Sequence, residues 1–234
     1  SGQDEVVPLA SSANTNIASG LTSFVGRRDE IERLRARIED STLVTIVGPA
    51  GAGKTRLSLE LVRSGLQGLP ERFPGGIWFC DLTQARSLDG ICHVVAGALG
   101  VPLAKAQSPD HNAELIGQSL AARGATLLVL DNFEQVASLA AATVGRWRAR
   151  AARSRFVVAS RTALQLPGER VLPLGPLGVE LGDTAAVQLF VERARAVRPG
   201  YDPSEEERAV IAEVVPAPDG MPVAQSGRAA GRER

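Results

Sequence analysis

Two kinds of apolar patterning alternate along the 234-residue chain. One is a short run that is apolar at nearly every position: "TLVTIVG" at 42–48, "GGIWFCDL" at 75–82, then "ATLLVLDN", "SRFVVASR" and "RVLPLGPL". Continuous runs of this length, bounded by Gly, Asp or Asn, predict strands buried on both faces. The other pattern returns an apolar residue every third or fourth position. In "RRDEIERLRARIED" Ile31, Leu34 and Ile38 share one helical face and the charges lie on the other. "KTRLSLELVRSGL", "DGICHVVAGALG", "AELIGQSLAARG" and "LAAATVGRWRARAA" repeat that period, with Gly100 and Gly124 placed to close two of the helices. Strands alternating with helices predict an α/β fold: a parallel five-stranded sheet flanked by helices on both faces. From about Thr184 the pattern is helical only, "TAAVQLFVERARAV" and then "PSEEERAVIAEVV", the second opened by Ser204 and Glu207 at capping-box spacing.

At 44% hydrophobic the chain can bury one substantial core and the start of a second. The first 20 residues lack apolar periodicity and have linker composition. The chain begins with Ser and reads as a segment of something longer. No apolar run is long enough for a membrane span, and the N-terminus has neither a basic nor an apolar signal region. Two cysteines, Cys80 and Cys92, fall inside elements and are expected to be buried reduced thiols, which fits a cytoplasmic setting. Net charge is zero, so the chain carries no overall electrostatic mark of a dedicated nucleic-acid binder. The five arginines around Trp147 in "RWRARAARSR" form a basic patch or, as the favoured reading, a solvated helix face. His93 and His111 have no partners at zinc-ligand spacing, and His93, next to Cys92, is read as part of a packed helix.

Among 26 basic residues only Lys54 and Lys105 are lysines, and Lys54 stands in "GPAGAGKT". Gly48, Pro49, Ala50, Gly51, Ala52, Gly53, Lys54 and Thr55 match the P-loop pattern in full, after a predicted strand and before a predicted helix. In such a loop successive backbone N–H groups curl around phosphates, the lysine reaches the β- and γ-phosphates, and the threonine hydroxyl goes to Mg²⁺. Arg56 follows directly and is counted with the nucleotide-binding residues. The plain alternative is a glycine-rich turn that binds nothing. Asp131 ends the apolar run "LLVLD" at the strand edge where ligands gather in open α/β sheets, and is the candidate metal partner of Thr55; alone it would pass for a turn former or helix cap. Asn132 follows where a carboxylate would be useful, and an amide cannot take a proton from water. Glu134 is the nearest acidic substitute. Arg161 ends another strand and is either a γ-phosphate sensor or a surface arginine.

"LTSFVGRRDEIERL", "GPAGAGKTRLSLEL", "GGIWFCDLT", "LLVLDNFEQV", "VVASRTALQLPGERVLPLGPL", "AVQLFVERARAV" and "DGMPVA" occur in this order over about residues 21–224. Together they resemble the STAND-class signal-transduction ATPases, in particular the bacterial NB-ARC-like, AAA+-related branch that accompanies transcription-regulator or protein-kinase domains. The resemblance implies ATP or ADP with Mg²⁺ held between the sheet and a helical lid, slow hydrolysis, linked sensor or effector domains, and nucleotide-dependent homo-oligomerisation. It implies that Phe24, Val25, Gly26 and Arg27 lie against adenine and ribose, that Arg161 senses the γ-phosphate, and that Pro222 faces the nucleotide from the lid. The expected layout is a linker at 1–20, a nucleotide-binding domain at 21–178 and, at 179–234, an incomplete lid, because "QSGRAAGRER" breaks the apolar helix that the family continues with. An ADP-bound oligomerisation or autoinhibition scaffold without turnover is the second reading. A DNA-associated AAA+ motor is disfavoured by the neutral charge, and no membrane partner is expected.

Overall fold

The computed structural model describes residues 15–16, 27–65, 71–104, 107–175, 185–198 and 200–214. They fall into two compact units, one holding 15–16, 28–48 and 54–173, the other holding 27, 49–53 and the residues from 174 onward.

The first unit is a five-stranded sheet with every pairing parallel, in the order β2-β3-β4-β1-β5. The strands are β1 (Leu43–Val47), β2 (Ile77–Asp81), β3 (Leu127–Asp131), β4 (Arg155–Ser160) and β5 (Arg170–Pro173). In β1, β3 and β4 nearly every residue is buried, which is why these segments read as unbroken apolar runs. Strand residues alternate between the two faces. On one face Leu43, Cys80, Leu128, Leu130, Phe156 and Val158 form a single core with α3 (Leu88–Leu99), α4 (Pro109–Arg123) and α5 (Arg146–Arg150). Their neighbours in the strands, among them Val44, Ile46, Val129 and Val157, are equally buried on the other face, where α1 (Arg28–Asp40) and α2 (Lys54–Gly65) pack. Ile31, Leu34 and Ile38 are the inward residues of α1, as their spacing predicts.

The helix ends follow local chemistry. Ser87 accepts from Gly90 N and caps α3, whose other end is closed by Gly100 at φ 66, ψ 30. Ser108 accepts from His111 N, with Pro109 in the first turn of α4. Gly124, read as a helix-closing glycine, takes φ 77 and ψ −131 instead of the left-handed helical conformation. The single helix expected around residues 139–152 is a π segment Ala141–Gly145 followed by α5, and a 3-10 segment Phe133–Leu139 precedes it. Gly145 N donating to Ala140 O makes the wide turn. Across all three, Phe133, Val136, Ala140, Val144 and Trp147 reach the core, and the buried Trp147 indole donates to Ala113 O at 2.9 Å. The arginines around it are held by acceptors on the protein: Arg146 by Asp110, Arg148 by Thr42 Oγ1 and Pro167 O, Arg150 by Glu114.

Within the segment read as a linker at 1–20 only Thr15 and Asn16 are described, and these two dock on the sheet edge. Thr15 bridges Ile77 in parallel, while Asn16 donates to Phe79 O and accepts from Phe79 N, so its amide copies a strand's pairing at the open side of β2. His93 is not packed: it faces solvent beside Asp89, while its neighbour Cys92 is fully buried. Both cysteines are free, and burial pushes each thiol up to about 12. No described helix is long and apolar enough to cross a membrane.

The second unit contains α6 (Ala185–Val197) and α7 (Glu205–Val214), whose Val187, Val191 and Ile211 form a small apolar cluster. The capping box is present as spaced: Glu207 N donates to Ser204 Oγ at 3.2 Å and Ser204 N to Glu207 Oε2 at 2.9 Å. Later residues, Pro222 and the end of the expected lid included, lie outside the described residues.

Candidate functional site

The loop between β1 and α2 is described through all eight positions of the glycine-rich motif. Gly51 (φ 77) and Gly53 (φ 86) adopt the left-handed backbone that only glycine takes without strain, which explains why glycines are needed at these two points. Ala52 N donates to Pro49 O, tightening the turn. Lys54 opens α2 with its side chain buried, and its Nζ donates to Gly48 O at 2.8 Å. Burial lowers the Lys54 pKa, opposed by the negative charges of Glu134 and then Asp131, and Arg161 lowers it further. Glu134, Asp131 and Arg161 therefore all lie within electrostatic reach of Lys54 in the first unit.

The carboxyl ends of β2, β3 and β4 supply the rest. Asp131 is 1% exposed, and the hydroxyl of Thr55 stands close enough to its carboxylate to act against the rise in its pKa. α2 packs over β3 and β4, and that brings the first turn of the helix to the end of β3. Burial raises the Asp131 pKa, in spite of hydrogen bonds from Thr55 and from the Asn132 backbone, with Asp81 and Glu134 adding to the rise. Its Oδ1 is buried with no hydrogen-bond partner. An orphaned carboxylate oxygen beside a threonine hydroxyl is a donor set of the hard, oxygen-only kind that Mg²⁺ takes. Thr55 and Asp131 thus fit the metal expected of them.

Glu134 and Arg161 meet each other, with Glu134 Oε1 3.4 Å from Arg161 Nε; the arginine is 60% exposed and Glu134 Oε2 is buried without a partner. Arg161 directly follows β4, after the buried Ser160. Arg56 is half-buried on α2. Arg27, in the second unit, takes a left-handed backbone (φ 59) and its guanidinium donates to Gly175 O at 2.8 Å. Phe24, Val25 and Gly26 lie outside the described residues, as does Pro222.

Sequence reasoning passed over Asp81 and Thr83. Asp81 pairs in register with Asp131 at the end of the neighbouring strand. Its Oδ1 accepts from Thr83 N at 2.9 Å, from the Thr83 hydroxyl at 2.5 Å and from Asn132 Nδ2 at 2.8 Å. Partial burial acts to raise the Asp81 pKa, but these hydrogen bonds outweigh it and hold the carboxyl below the usual aspartate value. A signal did exist: "IWFCD" and "LLVLD" have the same form, four apolar residues and then Asp.

A parallel sheet entered through a glycine-rich loop between its first strand and the following helix is the fold of the P-loop NTPases. Comparison with known proteins carries this class to a family: residues 35–165, more than half of the chain, match the family model described as an AAA domain, and the chain belongs to that family. An uncharacterized protein of Mycobacterium tuberculosis is 32% identical over 219 residues, covering 94% of this chain and 53% of the relative. A proposed HTH-type transcriptional regulator of the same organism is 27% identical over 192 residues, covering 82% of this chain and 20% of the relative. The chain therefore spans about half, or less, of these relatives. Among solved structures, Cdc6p from Pyrobaculum aerophilum is similar with a TM-score of 0.59 at 19% identity, over 82% of this chain and 56% of that one, a likeness of fold.

Proposed function

We propose that this chain is the ATP- and ADP-binding switch module of a larger regulator, and that it hydrolyses ATP slowly with Mg²⁺. The observation that carries the reading is the pairing of Thr55 with Asp131, whose buried Oδ1 has no partner, beside the buried ammonium of Lys54. In this reading the loop amides of residues 48–55, with Arg56, hold the phosphates, and Lys54 neutralises the β- and γ-oxygens. Thr55 and Asp131 hold Mg²⁺, which when bound would offset the charge developing on the transferred phosphoryl group. Arg161 exchanges its contact with Glu134 for the γ-phosphate and so reports which nucleotide is present. Val25, Gly26, Arg27 and Pro222 receive the base and ribose side of the nucleotide by resemblance alone.

The ordered segments that resemble STAND-class ATPases favour a switch over a motor, and the name of the regulator-like relative favours an output on transcription through a linked domain. Membership in the AAA domain family favours turnover, since such domains are generally ATPases. One observation favours a second reading, a scaffold that keeps ADP without turnover: the residue after Asp131 is an amide, whose two N–H groups are shared among Asp81, Thr83 and Asp131. Phosphate release by purified protein decides between them. Release that needs Mg²⁺ and vanishes in Lys54→Ala supports the switch; tight ADP binding with no release above that control supports the scaffold.

A further inference from the structure

Asn132 adopts a left-handed backbone (φ 58), a conformation that Asn and Asp tolerate better than other side-chain-bearing residues. Its Nδ2 lies 2.8 Å from Asp81 Oδ1, 2.8 Å from Thr83 Oγ1 and 3.2 Å from Asp131 Oδ2. Ionised carboxylates only accept, so the NH₂ half of the amide must be the half that faces them. The carbonyl half is turned the other way, and among the described residues its Oδ1 accepts from nothing.

The same contacts explain why position 132 is not an acid. A carboxylate there would stand at hydrogen-bonding distance from Asp81 and close to Asp131, three like charges at one strand edge. Backbone strain is not the main reason, because Asp, like Asn, is among the side-chain-bearing residues that tolerate this conformation. The carboxylate that one would look for after Asp131 is instead on the neighbouring strand, and position 132 carries the amide that complements it.

We propose that Asp81 is a positioning residue for ATP hydrolysis: with Thr83 it holds the Asn132 amide so that Oδ1 accepts a hydrogen bond from the attacking water. The inference rests on the hydrolytic reading above. The water oxygen forms a bond to the γ-phosphorus as the bond from that phosphorus to the β,γ-bridging oxygen breaks, and the bonding pair leaves with ADP. The amide orients the water and takes no proton; the proton passes to the phosphate product and then to solvent. A site that orients water without a base turns over slowly, as the switch reading requires.

The test is a swap, made in the full chain. Steady-state phosphate release with Mg²⁺ and ATP is measured for Asp81→Asn, Asn132→Asp and the double variant, with the ATP Kd and the Tm of the nucleotide-free protein recorded for each. Asp81→Asn is expected to lower kcat by about tenfold with KM and Kd unchanged within about twofold, the signature of misplacement and not of lost binding. Asn132→Asp lowers the nucleotide-free Tm, and the double variant, in which amide and carboxylate have changed places, restores both Tm and kcat. Should Asp81→Asn prove too unstable to assay, Thr83→Val removes a supporting contact and is expected to lower kcat severalfold, again with KM held. Unchanged kcat in the single Asp81 or Thr83 variant, or a double variant no better than the singles, overturns the inference while leaving hydrolysis standing. Absence of turnover by the unmutated chain above Lys54→Ala overturns hydrolysis and the inference together.

Discussion

Asp81 and Asp131 end adjacent parallel strands in register, each after four apolar residues, and the fold gives them opposite physics. Asp131 sits under α2, almost wholly buried, with one oxygen unpartnered and its pKa pushed up by burial. Asp81 lies one strand nearer the sheet edge, exposed, with one oxygen accepting three hydrogen bonds that hold its pKa down. The strand end alone therefore does not set the environment of the carboxylate. The helix lying over it does, by deciding whether the carboxylate meets water and its own loop or a helix N-terminus. The carboxylate with unmet bonding capacity suits a cation. The one already satisfied suits holding another side chain still.

Replacing each aspartate separates them most strongly. Asp131→Asn is expected to abolish Mg²⁺-dependent turnover, a loss on the order of a hundredfold or more, because a charge at the metal is gone. Phosphate release over a Mg²⁺ titration checks this, and residual nucleotide binding without Mg²⁺ is expected to persist. A loss no larger than that of Asp81→Asn would erase the distinction.

Acid stability of the nucleotide-free protein gives a second contrast, of opposite sign at the two positions. Asp81 has a folded pKa below its unfolded value, so its contribution is present above the unfolded value and is lost as pH falls through the folded one. Asp131 has a folded pKa above its unfolded value, so folding takes up a proton there and the neutral-pH penalty is relieved as pH falls through the raised pKa. Urea unfolding between about pH 7 and pH 3 should therefore show Asp81→Asn flattening the acid loss of stability and Asp131→Asn steepening it. The smallest expected effect is that of Thr83→Val on stability. It removes one of the donors to an exposed carboxylate and should cost about 1 kcal/mol or less by urea titration.

Much of this was open to reading in the chain because the information is local. The five strands are continuous apolar runs; the loop glycines, Lys54 and Thr55 form one string; Ser204 and Glu207 are three positions apart and bond as a capping box. Asp131 could be singled out for the same reason, through its own strand. What the sequence did not show depends on register. Asp81 meets Asn132 across 51 positions, and Asn16 reaches Phe79 across 63, contacts that exist only once parallel strands are aligned. The 3-10 and π windings between β3 and β4 are set by which side chains must reach the core, and helical periodicity is too coarse to tell them from an α-helix. His93 was misplaced because Cys92 beside it does belong to the core, and adjacent helical positions point about 100° apart.

Whether residues 48–55 hold a nucleotide's phosphates is decided by titrating the purified chain with labelled ATP and ADP, with and without Mg²⁺, alongside Lys54→Ala. Saturable binding at micromolar concentration is expected, falling at least about a hundredfold in the variant. Binding that is equal in the two proteins, or no binding by the unmutated chain, would contradict it.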